Sequence, residues 1–185
     1  MKRVVNVRTL TRVFSISDRK VFYFLNSFIK CSFCDNLMLF MTKLGGVIFT
    51  SGLTLAMIIF GDDYTRLVGL KVLIALTATT VLVQILKKAV GRERPYNMLN
   101  NINTFGIEMK DYSFPSGHTA ASFTIATMLY LNISHMMIPV LLLALMVGIS
   151  RIYLAVHYPS DVVVGIILGS SSSIIINSHI LQYIS

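Results

Sequence analysis

Between Tyr112 and Ser150 the sequence contains no Lys, Arg, Asp or Glu. A transmembrane helix takes about 20 apolar residues, so this run is too long for one helix and long enough for two. Asn132-Ile133-Ser134-His135 together with Pro139 supplies the break between them. The pattern predicts one span over about residues 117–132 and a second over about 137–155. His135, alone in the short turn that joins them, reads as structural.

The rest of the chain follows the same logic. Residues 36–60 are apolar apart from Lys43 and form an expected first span; the polar turn 61–66 leads into a second over 67–86. Lys71 lies near one end of that span, where a long side chain can snorkel to the interface. A fifth span begins near Asp161 and reaches about residue 180. On it Gly165, Gly169 and Ser173 recur every four residues, a spacing that lets helix backbones approach closely in lipid. Charged residues make up only 13 % of the chain, against roughly 25 % in ordinary soluble domains.

Residues 1–16 read as a basic surface tail, and Lys2-Arg3 is followed by too short an apolar run for a signal peptide. A helix can start with Ser17 or Asp18 as its cap. Val21, Phe24, Leu25, Phe28 and Ile29 share one face of it, but the apolar stretch is too short to cross a bilayer and suits a helix lying in the interface. The expected fold is therefore all-α: a polytopic membrane helix bundle of about five transmembrane helices plus an N-terminal amphipathic interfacial helix. Residues 1–35 hold the tail and that helix; residues 36–185 hold the membrane-embedded domain. Cys31 and Cys34 form a lone C-x-x-C without the further ligands of a zinc site, and read as small residues of the interfacial segment. The net charge of +8, set in a chain this apolar, points to anionic lipid and phosphate partners rather than nucleic acid.

With five alternating spans, the end of span two, the start of span three, the end of span four and the start of span five share one side of the membrane. Three polar clusters sit at those ends: Lys87 to Pro95, then Pro115-Ser116-Gly117-His118, then Ser150-Arg151 with His157 and Asp161. Ionisable residues at membrane depth mark functional sites by default. Lys87, Arg94 and Arg151 can surround the oxygens of a phosphate, Arg as a fork and Lys as a point charge. The start of the third span offers backbone N–H groups and the positive end of a helix dipole to an anion. Gly117 permits close approach there, and Ser116 can add a hydroxyl. Asp161 can orient His157 and stabilise its cation. One histidine can then act as nucleophile and the other as proton donor. Lys88 and Arg92 read as ordinary interfacial cations, and Glu93 as charge balance.

The three clusters resemble the signature of the type 2 phosphatidic acid phosphatases, which share their motifs with bacterial acid phosphatases and vanadium haloperoxidases. Lys87, Arg94 and Pro95 match K-x6-R-P; Pro115 to His118 match P-S-G-H; Ser150, Arg151, His157 and Asp161 match S-R-x5-H-x3-D. The resemblance implies a hydrolase of lipid phosphates or diphosphates, isoprenoid or glycerolipid, working through a phosphohistidine and without metal or other cofactor. It implies that His157 is the nucleophile assisted by Asp161, and that His118 protonates the leaving group. Lys87, Arg94, Ser116, Gly117 and Arg151 would hold the phosphate. A lipid phosphotransferase using the same site, or a non-catalytic lipid-binding membrane protein, are the alternatives. The resemblance also implies a multi-pass cell-membrane protein whose site faces away from the cytoplasm. The positive-inside rule predicts the reverse, because seven Lys or Arg lie within residues 1–30.

Overall fold

The structure, a computed structural model, describes residues 18–133 and 137–181. The expected basic tail, the Ser17 cap and His135 lie outside the described residues. No strand occurs among those described. Residues 18–28 form α1, whose second half is the π-helical turn Phe24–Phe28. Then follow α2 (Ser32–Leu44), α3 (Val47–Phe60), α4 (Asp63–Val90), the single turn α5 (Pro95–Met98), α6 (Gly117–Asn132), α7 (Met137–Tyr153) and α8 (Pro159–Leu181).

Local signals set several of these ends. The Asp62 carboxylate accepts from the Thr65 N–H at 2.8 Å and caps the start of α4. That helix stops at Gly91, whose left-handed backbone (φ 60°) is one that glycine adopts freely. Ser116 caps α6, and Arg94 with Pro95 opens α5.

The helices gather two sets of termini. At one end Lys87 of α4, Ser116 before α6, Arg151 of α7 and Asp161 of α8 meet the corner between α2 and α3, where Gly46 approaches His118. At the other end the Tyr64 hydroxyl donates to the Asn132 carbonyl at 2.6 Å. Helix α6 is the central rod, packed against α8, α7 and α4. The small residues predicted on α8 are what bring α8 and α6 together. A Cβ on Gly165 would lie 2.8 Å from the Ser116 carbonyl oxygen, and one on Gly169 would lie 2.9 Å from the Thr124 nitrogen. The Ser173 hydroxyl donates to the Thr124 carbonyl at 2.7 Å.

Polarity runs inside out relative to a soluble protein. Thr79, Ser122, Thr124 and Thr127 are buried, whereas Phe28, Ile48, Phe60 and Ile138 are exposed. The Thr79 and Thr124 hydroxyls pair across the α4–α6 contact at 3.1 Å, as polar groups must where the surroundings offer no water. Helices α4 and α8 are long and apolar enough to cross a membrane, and α2 with α3 is a candidate third crossing bent by 51°.

Three local expectations are corrected. The predicted first span is broken at Gly45-Gly46, because the corner packs directly onto α6 and α7. A Cβ on Gly45 would lie 2.6 Å from Val147 Cγ1 and 3.0 Å from the His118 carbonyl oxygen. Lys71 does not snorkel. It is 2 % exposed, and its ammonium donates to the side-chain carbonyls of Asn132 and Asn177, each at 3.1 Å. Those amides satisfy the charge inside the bundle. Cys31 and Cys34 are joined as a disulfide at the start of α2.

Candidate active site

The three sequence clusters converge on one cavity of about 620 Å³. Lys87, Arg94, Gly117, His118 and His157 line its inner end, and from there it runs between α3 and α4 past Thr50, Thr54, Leu55, Leu73 and Leu76. Of the remaining predicted residues, Ser116, Arg151 and Asp161 stand behind this wall, not on it.

Arg94 is 2 % exposed and held on several sides. Its Nε donates to the Asp111 carbonyl at 2.9 Å, one terminal nitrogen to the Val156 carbonyl at 2.8 Å, and the other to the Asp111 carboxylate at 2.7 Å and the Tyr112 carbonyl at 3.1 Å. The nitrogen on Val156 also lies 3.4 Å from His157 Nε2. Lys87 donates to the Tyr112 carbonyl at 2.6 Å and to the other oxygen of the Asp111 carboxylate at 2.7 Å. Two cations are thus fixed chiefly by backbone carbonyls, and one carboxylate bridges them.

Arg151 is equally buried. It donates to the Thr42 hydroxyl on α2 and makes a 3.3 Å contact with Met109 Sδ, while its Nε has no partner among the described residues. An orphaned buried donor needs an acceptor, and this one lies just behind the cavity wall. The Ser116 hydroxyl pairs with that of Thr119 at 2.9 Å, and the Ser116 N–H donates to the Asp161 carbonyl at 3.0 Å, tying the start of α6 to α8. At Gly117 an added Cβ would meet only Val83, at 3.7 Å. Packing therefore does not demand glycine here, and the space beside the backbone is open to a ligand.

His157 sits in the loop between α7 and α8. Its Nδ1 lies 3.5 Å from an Asp161 carboxylate oxygen, which also accepts the Tyr158 N–H at 2.8 Å. This arrangement favours a proton on Nδ1 and leaves the Nε2 lone pair beside Arg94. Burial pushes the imidazole down to about 4, against the opposing pull of the nearby Asp161 carboxylate. This favours the uncharged ring at neutral pH. Burial also pushes the Asp111 carboxyl up, but the hydrogen bond and charge of Lys87, then the charge of Arg94, outweigh it and hold the group below the ordinary carboxylate range.

The sequence reading missed three members of this constellation. Arg92 is not an ordinary interfacial cation. Its guanidinium donates to the second oxygen of Asp161 at 2.7 Å, to the Ser160 hydroxyl at 2.7 Å and to Asp18 at 2.8 Å, and it stacks 3.9 Å from the Tyr158 ring. Asp18, from α1, is the second, and also accepts the Ser160 N–H at 2.8 Å. Asp111 is the third. Its only signal in the sequence was proximity to the P-S-G-H cluster. Among the described residues no group of His, Cys, Asp and Glu could hold a metal ion.

The PAP2 superfamily model matches residues 68–182. The chain is 34 % identical to the undecaprenyl-diphosphatase of Sulfolobus acidocaldarius over 137 residues, which is 74 % of this chain and 66 % of that one. The first curated relatives are matched over only 51–66 % of their own length. Among solved structures, Aquifex aeolicus LpxE superposes with a TM-score of 0.76 at 31 % identity, covering 86 % of this chain and 93 % of that one. The PAP2-type phosphatidylglycerolphosphate phosphatase of Bacillus subtilis superposes with a TM-score of 0.71 at 23 % identity, covering 97 % and 89 %, and shares the fold.

Proposed function

The chain belongs to the PAP2 superfamily, and from that membership and the site geometry we propose that it is a membrane phosphatase hydrolysing lipid phosphates or diphosphates. The observation that carries this reading is the cavity itself. Its inner end holds two histidines and two buried cations, and its outer part is an apolar slot between α3 and α4. A phosphate head with a hydrocarbon tail matches both halves. The name of the Sulfolobus relative makes an isoprenoid diphosphate the first substrate to try; a glycerolipid phosphate is the second.

In the proposed mechanism the His157 Nε2 lone pair attacks phosphorus, and the bond to the leaving oxygen breaks as His118 gives that oxygen a proton. Asp161 stabilises the imidazolium character that His157 acquires. Lys87, Arg94 and the first-turn N–H groups of Gly117 and His118 hold the phosphoryl oxygens as their charge redistributes, with the buried Arg151 guanidinium adding positive charge behind them. His118, now neutral, takes a proton from water; the hydroxide attacks phosphorus, the P–N bond breaks, and inorganic phosphate leaves. A lipid alcohol in place of that water would make the reaction a transfer.

Residues 36–185 form the catalytic domain in this reading, and its five crossings are the bent pair α2 and α3, then α4, α6, α7 and α8. The site residues Lys87, Ser116, Arg151 and Asp161 all sit at helix ends, so the site lies at an interface. Helix α1 lies across that face with Asp18, Phe22 and Asn26 turned inward and Val21, Phe24 and Phe28 exposed. The face is extracytoplasmic. The Cys31–Cys34 disulfide on the same face supports this, since such bonds persist in oxidising compartments. It outweighs the N-terminal cations. The test of the function is phosphate release from a panel of isoprenoid and glycerolipid phosphates by the purified protein, with and without a lipid alcohol as acceptor.

A further inference from the structure

The Asp111 carboxylate occupies the two cations that the proposed mechanism assigns to the substrate phosphate. Its two carboxylate oxygens are bound one each by Lys87 and Arg94, both at 2.7 Å. Those cations are almost fully buried, whereas the Asp111 side chain is 45 % exposed and lies on the loop between α5 and α6. It also lines the cavity beside His118 and His157. A carboxylate is the closest mimic of a phosphoryl group that a protein side chain can offer, and the same forked donors bind both.

We propose that Asp111 is a displaceable internal anion that occupies the phosphate seat between turnovers and sets the affinity of the site for phosphate groups. The proposal rests on the phosphatase reading of the cavity. An arriving phosphate takes the two cations from Asp111, and the carboxylate swings outward with its exposed loop. After hydrolysis it competes for the same cations and helps to expel inorganic phosphate. The residue thereby limits product inhibition at the expense of substrate affinity. It also screens ligands by charge, because a weakly charged headgroup competes poorly against a carboxylate already bound.

The alternative role for Asp111 is to position Lys87 and Arg94, and it has the opposite sign. The geometry argues against it. Arg94 is also held by the carbonyls of Asp111, Tyr112 and Val156, and Lys87 by the carbonyl of Tyr112. None of these is lost with the side-chain charge, so both cations remain in place, and more strongly attractive to phosphate, when the carboxylate is replaced.

The experiment is direct binding of inorganic phosphate and of orthovanadate to the full-length purified protein, together with product inhibition of turnover, for the wild type, Asp111→Asn and Asp111→Ser. Both variants should bind inorganic phosphate about tenfold more tightly, equivalent to about 1.4 kcal/mol. They should show lower KM and stronger product inhibition, with kcat held back by phosphate release. Unchanged or weaker phosphate binding in both variants, with the wild-type fold shown by equal melting temperature, overturns the proposal. A wild type that binds neither anion contradicts the phosphatase reading instead, so the two failures are distinguishable.

Discussion

Arg92 grips the outer oxygen of Asp161 at 2.7 Å, while the inner oxygen faces His157 Nδ1 at 3.5 Å. Asp161 is fully buried and supported from both sides, so the charge that orients the proposed nucleophile depends on a residue that never reaches the cavity. Asp18 and Ser160 in turn hold Arg92, linking α1 to the catalytic loop.

Arg92→Gln should therefore lower kcat with little change in KM. A charge-assisted hydrogen bond is worth roughly 1.5–3 kcal/mol, which corresponds to about a ten- to hundredfold loss of rate. Arg92→Lys should recover part of it. A rise in KM with kcat unchanged would show that Arg92 binds substrate rather than supporting Asp161.

The two histidines should fail differently. His157→Ala removes the proposed nucleophile and should abolish turnover of every substrate. His118→Ala removes only the acid, worth typically 10²–10⁴-fold, so an aryl phosphate with a good leaving group should lose far less than an alkyl lipid phosphate. Equal losses on both would reverse or void the roles.

Much of this site is legible in the sequence, for a physical reason. In a chain this apolar each ionisable residue is conspicuous, and alternation of spans determines which clusters share a face. The start of α6 near Gly117 and its end near Asn132 can be read from the sequence, because a proline-serine cap and a polar break bracket an uncharged run. The bend at Gly45-Gly46 cannot be read, since the residues on either side remain apolar and only the approach of Val147 and His118 requires the corner. Asp18, Arg92 and Asp111 were missed because their partners lie 74, 69 and 24 residues away in sequence. A charge near a membrane surface looks the same whether it is solvated or paired, until the fold supplies the partner.

Turnover should need no divalent ion, because the proposed mechanism draws the positive charge at the phosphate from Lys87, Arg94 and Arg151. Activity should survive a chelator under constant lipid presentation, and orthovanadate should inhibit it as a mimic of the pentacoordinate state. Strict dependence on added magnesium or zinc would contradict the assignment of these side chains.

Orientation can be read from a cysteine placed at the exposed Asn100, in a background lacking Cys31 and Cys34. In intact cells a membrane-impermeant thiol reagent should label it without lysis. Labelling only after lysis would place the site on the cytoplasmic side, as the N-terminal cations require.

The central claim is a covalent phosphohistidine at His157, and rapid acid-free quenching of enzyme mixed with substrate labelled in its terminal phosphate tests it most directly. The account predicts a transient, acid-labile and alkali-stable label on the peptide carrying His157, present in His118→Ala with a good leaving group and absent in His157→Ala. A label on any other residue, or turnover that persists in His157→Ala, would contradict it.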